Sequence, residues 1–122
     1  MAEPGIYTVS IWDGVSKVLL RQKTVEQTSP NKFSPAAIDA LTIEKDKKYL
    51  VSINCTVGGV KKGYNGLAKI GSGSITIFPI SRGSIVIQKS VYSISAVSVF
   101  PATDYSSSNT FFGFADITFI PD

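Results

Sequence analysis

Residue types that carry most enzyme chemistry are scarce in this chain. It contains no histidine and a single cysteine, Cys55. Without histidine neither a Ser-His-Asp triad nor a Cys-His pair can form, and one cysteine cannot hold a structural zinc ion. Asp104 and Asp116 could come close in the folded chain, but so could any two carboxylates. A glycosidase needs a pair at a set separation across a cleft. We therefore expect no enzyme, no catalytic residue, no metal site and no cofactor.

A lysine-rich segment comes nearest to a binding motif. Lys61, Lys62 and Lys69 surround Tyr64 in a stretch rich in glycine. Lysine side chains neutralise phosphates or carboxylates, and a tyrosine among them can stack on a base. Three interpretations are open. A solvated loop is the plainest, a nucleic-acid ligand is unlikely, and binding to an acidic protein surface ranks between these two. We predict that these four residues bind a partner, either a protein shell or another acidic surface.

The charge pattern also points to a covered surface. The formal net charge is +3, and residues 17–69 alone carry an excess of six positive charges. Charged residues make up only 17% of the chain, against about 25% in typical soluble domains. This low fraction predicts that a partner, or other copies of the chain, cover part of the surface.

An aromatic-dense closing strand is predicted at Thr110–Ile120. Alternation sends Phe112 and Phe114 to one face and Phe111 and Phe119 to the other. A bare apolar face of this size would aggregate, so each face must be covered. One cover is the core, and the other is a neighbouring subunit or an overlying loop. We favour a subunit and predict self-association through these four phenylalanines.

Two other aromatic residues define an alternative ligand face. Trp12 stands at a strand end beside a turn, where we expect it to be exposed, and Tyr105 lies in a serine-rich loop. A tryptophan in that position more often packs at a rim than binds a ligand. If the chain does bind a glycan or a receptor, Trp12 and Tyr105, with Tyr64, would form the binding face.

The elements that must position these residues read as strands in the first half of the chain. Gly5–Trp12 alternates, Val15–Val25 reads as the return strand, and Asp13-Gly14 between them is favoured in a type I′ turn. The central stretch, Leu41–Val57, reads as a strand at Leu41–Glu44, a charged tip, and a longer strand whose odd-numbered residues face inward. Two prolines interrupt residues 28–40, which we expect to form a loop or one helical turn beginning at Ser34.

The second half reads as further short strands. Gly58–Gly73 is expected to be a long loop or a mobile hairpin. Strands are predicted at Ser74–Ile80, Ser84–Gln88 and Val91–Phe100, and a polar loop at Pro101–Asn109. Turn signals every 8–12 residues predict an all-β fold: a single-domain antiparallel β-sandwich of jelly-roll type over residues 1–122, with at most one short helical turn. We expect the core or subunit contacts to include Val51, Ile53, Cys55, Val57, Ile75, Ile77, Val97, Val99, Phe112 and Phe114.

Two motifs resemble those of a known family. The run Ala40–Ser52, ALTIEKDKKYLVS, resembles the "Phe-x-Ile-x-x-x-Gly-x-Tyr" motif of the trimeric jelly rolls of the complement and tumour-necrosis-factor type. Lys47 stands about where that motif has a turn glycine. The run Ser108–Ile117, SNTFFGFADI, is similar to the family's closing "Ser-x-Phe-Ser-Gly-Phe" strand. The resemblance implies a trimeric jelly roll of the kind found in phage tail-fibre knobs and in decoration proteins of phage heads.

The residues and the resemblance together lead to a functional expectation. We expect a non-enzymatic structural protein of a bacteriophage virion, most simply a capsid decoration or cement protein. It would form a homo-oligomer, a trimer, and bind the preformed shell through the major capsid protein or another virion component. The alternatives are a receptor- or glycan-binding knob of a tail fibre or adhesin, and a small nucleic-acid-binding β-barrel.

The expected location is the virion. Met1-Ala2-Glu3-Pro4 has no basic start and no apolar run, unlike a signal peptide. No apolar stretch approaches the roughly 20 residues of a membrane helix. We therefore expect a chain that is made in the host cytoplasm and has no membrane partner.

Overall fold

The chain is built from antiparallel β-strands. The computed structural model describes residues 5–29, 32, 34–54, 56–57, 60–61, 65–67, 69–70, 74–75, 78–95, 97–104, 110–112, 118 and 120. These residues contain thirteen strands and no helix, which confirms the predicted all-β class. The more specific jelly-roll sandwich stays a prediction. No helix in the described ranges has the length and apolarity needed to cross a bilayer.

The strands range from two to nine residues in length. In chain order they are β1 Gly5–Asp13, β2 Leu19–Gln27, β3 Tyr49–Asn54, β4 Thr56–Val57, β5 Val60–Lys61, β6 Asn65–Leu67, β7 Lys69–Ile70, β8 Ser74–Ile75, β9 Ile80–Arg82, β10 Ile85–Ile87, β11 Val91–Tyr92, β12 Thr103–Asp104 and β13 Thr110–Phe112.

The principal sheet has three strands in the order β2-β1-β3. Its centre, β1, pairs with β2 from Gly5 opposite Gln27 and with β3 from Thr8 opposite Asn54. The predicted hairpin between the first two strands is therefore confirmed. Its return strand starts at Leu19, later than the predicted Val15, and a bulge interrupts the register after Ile11.

The turn of this hairpin is not the predicted type I′ turn. The backbone N–H of Asp13 donates to the carbonyl of Val18 (2.9 Å), so four residues, and not two, form the loop. Asp13 Oδ1 accepts hydrogen bonds from the backbone N–H groups of Val15 (2.9 Å) and Ser16 (2.8 Å). The positive φ that the loop needs falls on Lys17, at 63°. The carboxylate thus stabilises a wider loop than the Asp-Gly dipeptide predicts.

Irregular chain contacts both faces of the principal sheet. On one face Ser98 and Phe100 contact Ser10 and Trp12. Side chains alternate along a strand, so Ile11 belongs to the opposite face. The neighbour of Ile11 on β2, Arg21, donates two hydrogen bonds to the carbonyl of Ala40 there (3.2 and 2.8 Å). This two-sided cover explains why three consecutive residues of β1, from Ser10 to Trp12, are all buried.

Residues 34–44 form neither a strand nor a helix. The prediction of a strand at Leu41–Glu44 is therefore wrong, and of the two predictions for residues 28–40 the loop fits the described residues. Side chains occupy the backbone groups that a ladder would use. Arg21 takes the carbonyl of Ala40, and the Tyr49 hydroxyl accepts from the Glu44 N–H (3.0 Å). Such bonds compete with secondary structure.

The glycine-rich stretch contains short strands instead of the predicted long loop. The pair β4–β5 has Val57 opposite Val60, and β7–β8 has Ile70 opposite Ser74. Between these pairs, β6 pairs with the distant β13. Two structures were predicted for this stretch, a long loop or a hairpin. The hairpin agrees better with the described strands.

The next hairpin, β9–β10, closes through a tight turn. Arg82 lies opposite Ile85, so Gly83 and Ser84 form a two-residue turn. Gly83 has a φ of 57°, as expected at the first central position of a type II′ turn. The predicted strand at Ser74–Ile80 is interrupted, because Phe78 and Pro79, joined by a cis peptide bond, belong to no strand.

The predicted strand Val91–Phe100 is mostly wrong. Of its described residues, Val91 and Tyr92 alone form a strand, β11, which pairs with β12 inside the segment predicted to be a polar loop. The closing strand is described only as β13, and Thr118 and Ile120 lie outside strands.

The buried residues differ from those expected. The buried apolar side chains in the described ranges are Tyr7, Ile11, Trp12 and Ile80. Val51 and Ile53 are half-buried, while Val97 and Val99 are exposed and therefore do not belong to the core of this chain. Cys55, Ile77 and Phe114 lie outside the described residues, as do the side chains of Val57, Ile75 and Phe112.

Candidate functional site

Strand pairing brings the predicted aromatic strand beside β6, which lies in the chain between the predicted basic residues Lys61 and Lys69. Lys61 ends β5 and Lys69 begins β7, and β6 lies between them in the chain. In the β6–β13 pair, Phe111 lies opposite Gly66 and Phe112 opposite Asn65. Two segments that the sequence separates by more than forty residues therefore lie side by side.

Several predicted site residues fall outside the described part of the chain. They are Lys62, Tyr64, Tyr105, Phe114 and Phe119. For Lys61, Lys69, Phe111 and Phe112 the strand position is described and the side chain is not. Their predicted roles in partner binding and self-association therefore stay predictions.

Trp12 is not on an exposed ligand face. Its side chain is only 8% exposed, which contradicts the predicted exposure. The indole Nε1–H donates to Ser52 Oγ (2.8 Å), and the ring meets that of Phe100 edge-on with centroids 5.9 Å apart. An indole held by a hydrogen bond and an aromatic contact is a packing residue. The alternative glycan-binding face thus loses the one member whose side chain is described.

A polar cluster lies beside Trp12. Ser10 is fully buried. The amide nitrogen of Gln22 donates to Ser10 Oγ (3.0 Å), and Ser10 Oγ is 3.1 Å from Ser98 Oγ. These bonds satisfy the hydroxyl of Ser10, whose burial without a partner would be costly. The cluster therefore fixes the segment that contains Ser98 against the sheet.

The hairpin loop and the neighbouring turn at residues 44–48 form a second polar cluster. Lys47 Nζ lies 3.2 Å from Asp13 Oδ2 and 3.4 Å from Glu44 Oε1. The N–H of Gly14 donates to the carbonyl of Lys48 (2.8 Å), which joins the two turns through the backbone. Both oxygens of Asp13 are thereby engaged, so this carboxylate orders the turns.

The pKa values in this cluster reflect the same contacts. Backbone hydrogen bonds from Ser16 and Val15, with a smaller effect of Lys47, lower the pKa of Asp13 from 3.8 to about 2. The hydrogen bond to Asp13 and the charge of Glu44 raise the pKa of Lys47. Both groups are thus held in their charged forms. Such a pair stabilises structure and offers no proton donor or acceptor near neutral pH.

A segment at residues 93–99 presents apolar side chains to solvent. Ile94 is 82% exposed and Val97 65% exposed, and Val99 is exposed as well. The serines of the same segment are engaged within the chain. Ser95 Oγ accepts from the N–H of Val97 (3.2 Å), Ser93 Oγ from that of Ala102 (3.2 Å), and Ser98 contacts Ser10.

Other exposed apolar side chains lie elsewhere on the described surface. They are Ile6, Val15, Val18, Leu19, Ile38, Ile43, Val86 and Ile120. Among the described residues no three His, Cys, Asp or Glu side chains lie close enough to hold a metal ion.

Sequence patterns did not predict the importance of Ser98 and Lys47. Alternation in VYSISAVSVF divides serines from apolar residues but does not say which set faces inward. The aspartate of the Asp13-Gly14 pair was a usable signal, because aspartate often accepts hydrogen bonds from the next backbone N–H groups. Its partner Lys47 is distant in the chain and carries no local signal.

Comparisons with known protein families, with curated proteins and with solved structures find no significant match to this chain. The resemblance to trimeric jelly rolls stays a prediction. The function must therefore be inferred from the surface and contacts of the chain itself.

Proposed function

We propose that this protein is a non-enzymatic structural component of a bacteriophage virion, a capsid decoration or cement protein. In this role it self-associates, as a trimer, and binds the preformed shell through the major capsid protein or another virion component. A decoration protein needs a stable body and adhesive surfaces, and it needs no reacting group. The phage assignment itself derives from the motif resemblance described above.

The observation that carries the proposal is the exposure of large apolar side chains. In the described ranges Ile94, Val97 and Ile120 are among eleven such residues, on a chain with only 17% charged residues. Single exposed apolar residues are normal, whereas exposed groups of them mark interaction sites. In a protein that remains bound to a shell and to its own copies, the contacts with these partners cover the apolar side chains.

The strand pairing supports a composite attachment surface. The β6–β13 pair brings the strand that contains Phe111 and Phe112 beside Asn65–Leu67, which lies between Lys61 and Lys69 in the chain. Lysines beside apolar groups fit a protein surface that carries carboxylates, because charge steers the encounter and apolar contact provides affinity. In the proposal Lys61, Lys62, Tyr64 and Lys69 contact the shell.

Cosedimentation with phage heads tests the proposal. Purified protein is mixed with empty heads of the phage that encodes it, prepared without the protein, and the bound amount is measured. We expect binding that saturates at a fixed number of copies per head. A variant with Lys61, Lys62 and Lys69 changed to glutamate should bind at least about 10-fold more weakly. The matched variant with the exposed lysines Lys23, Lys32 and Lys45 changed to glutamate should bind normally.

Two alternative functions predict different results. A glycan- or receptor-binding knob would leave the heads unbound and retain sugars on a glycan array. A nucleic-acid-binding barrel would bind single-stranded DNA or RNA at low ionic strength and lose that binding steeply with salt. Either result, with no binding to heads, contradicts the proposed function.

A further inference from the structure

We propose that residues 93–99, which we name the serine–valine segment, form the surface through which two copies of this chain associate. The proposal rests on the self-association included in the proposed function and assigns it to particular residues. It differs from the sequence-based prediction, which assigned self-association to the phenylalanines of the closing strand.

The first argument is the inverted polarity of the segment. Ser98 faces the sheet and contacts Ser10 (3.1 Å), whereas Val97 and Val99 on either side of it face solvent. In a chain that works alone, the apolar set would face the sheet and the serines would face water. Here the serines are used within the chain, so the apolar set is available to a partner.

The second argument is electrostatic. No residue between Lys89 and Asp104 is charged, and these two flanking charges pair with each other at 2.6 Å. Each copy carries a net charge of +3, so two copies repel when lysine-rich surfaces approach. Contact through an uncharged patch minimises this repulsion. The patch therefore suits a second copy better than a strongly charged partner.

The third argument concerns the backbone. In the described part of the segment, residues 93–95 and 97–99 take no part in a strand ladder. The N–H of Val97 is bonded within the segment to Ser95 Oγ (3.2 Å), so the contact offered to a second copy is made by the apolar side chains of Val97 and Val99.

The fourth argument is continuity with another predicted contact. The strand β11 leads directly into the segment and lies close to β13, which carries Phe111 and Phe112. An interface that starts at Ile94 and Val97 can therefore extend towards that strand.

Sedimentation velocity on the full chain tests the proposal. The mass is measured from about 10 μM to about 1 mM for the wild type, for Val97→Asp and for Ile94→Asp. The control is Val86→Asp, which makes the same change at a side chain that is 52% exposed on β10. Circular dichroism checks that each variant is folded.

We expect the wild type and Val86→Asp to associate, and the two segment variants to dissociate at least about 100-fold more readily, because each would bury an unpaired charge. A mass of two or of three chains for the wild type supports the proposal equally. If Val97→Asp and Ile94→Asp associate as the wild type does, another surface joins the copies and the proposal is wrong.

A wild type that stays monomeric at about 1 mM also overturns the proposal. The decoration function is judged separately, by cosedimentation of the same samples with empty heads. A monomeric variant that still binds heads separates attachment from self-association, so the two proposals can fail independently.

Discussion

Trp12 is held at the end of β1 by contacts from two directions. Ser52 accepts its indole hydrogen bond, and Phe100 meets the ring edge-on. The sequence places Trp12 correctly on a strand beside a turn, but the residues that cover it lie far along the chain. Burial of this kind depends on tertiary packing, which strand periodicity does not specify.

Replacement of Trp12 by alanine should therefore be strongly destabilising. The change removes a buried aromatic side chain and leaves a cavity, so we expect a loss of about 3–5 kcal/mol in the free energy of unfolding. Urea denaturation measures it, with Val15→Ala on the exposed loop as the control, expected to stay within about 0.5 kcal/mol. A loss below about 1 kcal/mol for Trp12→Ala would show that the residue is not packed as described.

Asp13 makes a pH-dependent contribution that can be isolated. Its pKa in the folded chain, about 2, is lower than the ordinary value of 3.8. A lowered pKa means that the charged form stabilises the fold. The contribution is fully present above pH 3.8 and is lost as the pH falls towards 2.

The melting temperature of the wild type should therefore fall more steeply than that of Asp13→Ala between these two pH values. The variant Asp13→Asn retains the Oδ1 acceptor for Val15 and Ser16, so it should be more stable than Asp13→Ala at neutral pH. Thermal unfolding followed by circular dichroism gives both comparisons. Parallel pH profiles for wild type and Asp13→Ala would contradict the assigned role of the carboxylate.

At the scale of the elements, the strands that alternate and pair locally were predictable. The hairpin β1–β2 follows from alternation and a turn dipeptide, and β3 follows from the alternation in Tyr49–Asn54. Leu41–Glu44 and most of Val91–Phe100 alternate equally well but form no strand. In both segments side chains bond to backbone groups, and the sequence alone does not show which side chains will reach them.

Two glycines in turns should respond differently to substitution. A Cβ on Gly14 would lie 2.9 Å from the carbonyl oxygen of Lys48, and its φ is not in the left-handed region. Gly83 has open space around it, but its φ is +57°. Gly14 is therefore required for close approach of two turns, and Gly83 for its backbone conformation.

We expect Gly14→Ala and Gly14→Asn both to destabilise the chain, by about 1–3 kcal/mol, because the backbone of Lys48 must move. Gly83→Ala should cost about 1 kcal/mol, and Gly83→Asn less, since asparagine tolerates positive φ. Urea denaturation of the four variants distinguishes the two causes. Recovery by asparagine at Gly14 would contradict the close-approach explanation.

At the scale of the whole molecule, salt should affect the contacts of two surfaces in opposite directions. The lysines at positions 61, 62 and 69 are proposed to meet an acidic shell, and attraction between opposite charges is weakened by salt. The serine–valine segment is uncharged, and its association is opposed by the net charge of +3 on each copy. Salt screens that repulsion and also favours apolar contact.

Raising NaCl from about 50 mM to about 500 mM should therefore weaken binding to empty heads and strengthen self-association of the same protein. Cosedimentation measures the first effect and sedimentation velocity the second, on matched samples. The variant with Lys61, Lys62 and Lys69 changed to glutamate should reverse the salt dependence of head binding, because salt screens its repulsion from an acidic shell. It should retain the salt dependence of self-association. If salt weakens self-association as well, ion pairs join the copies, and the uncharged segment between Lys89 and Asp104 is not the interface.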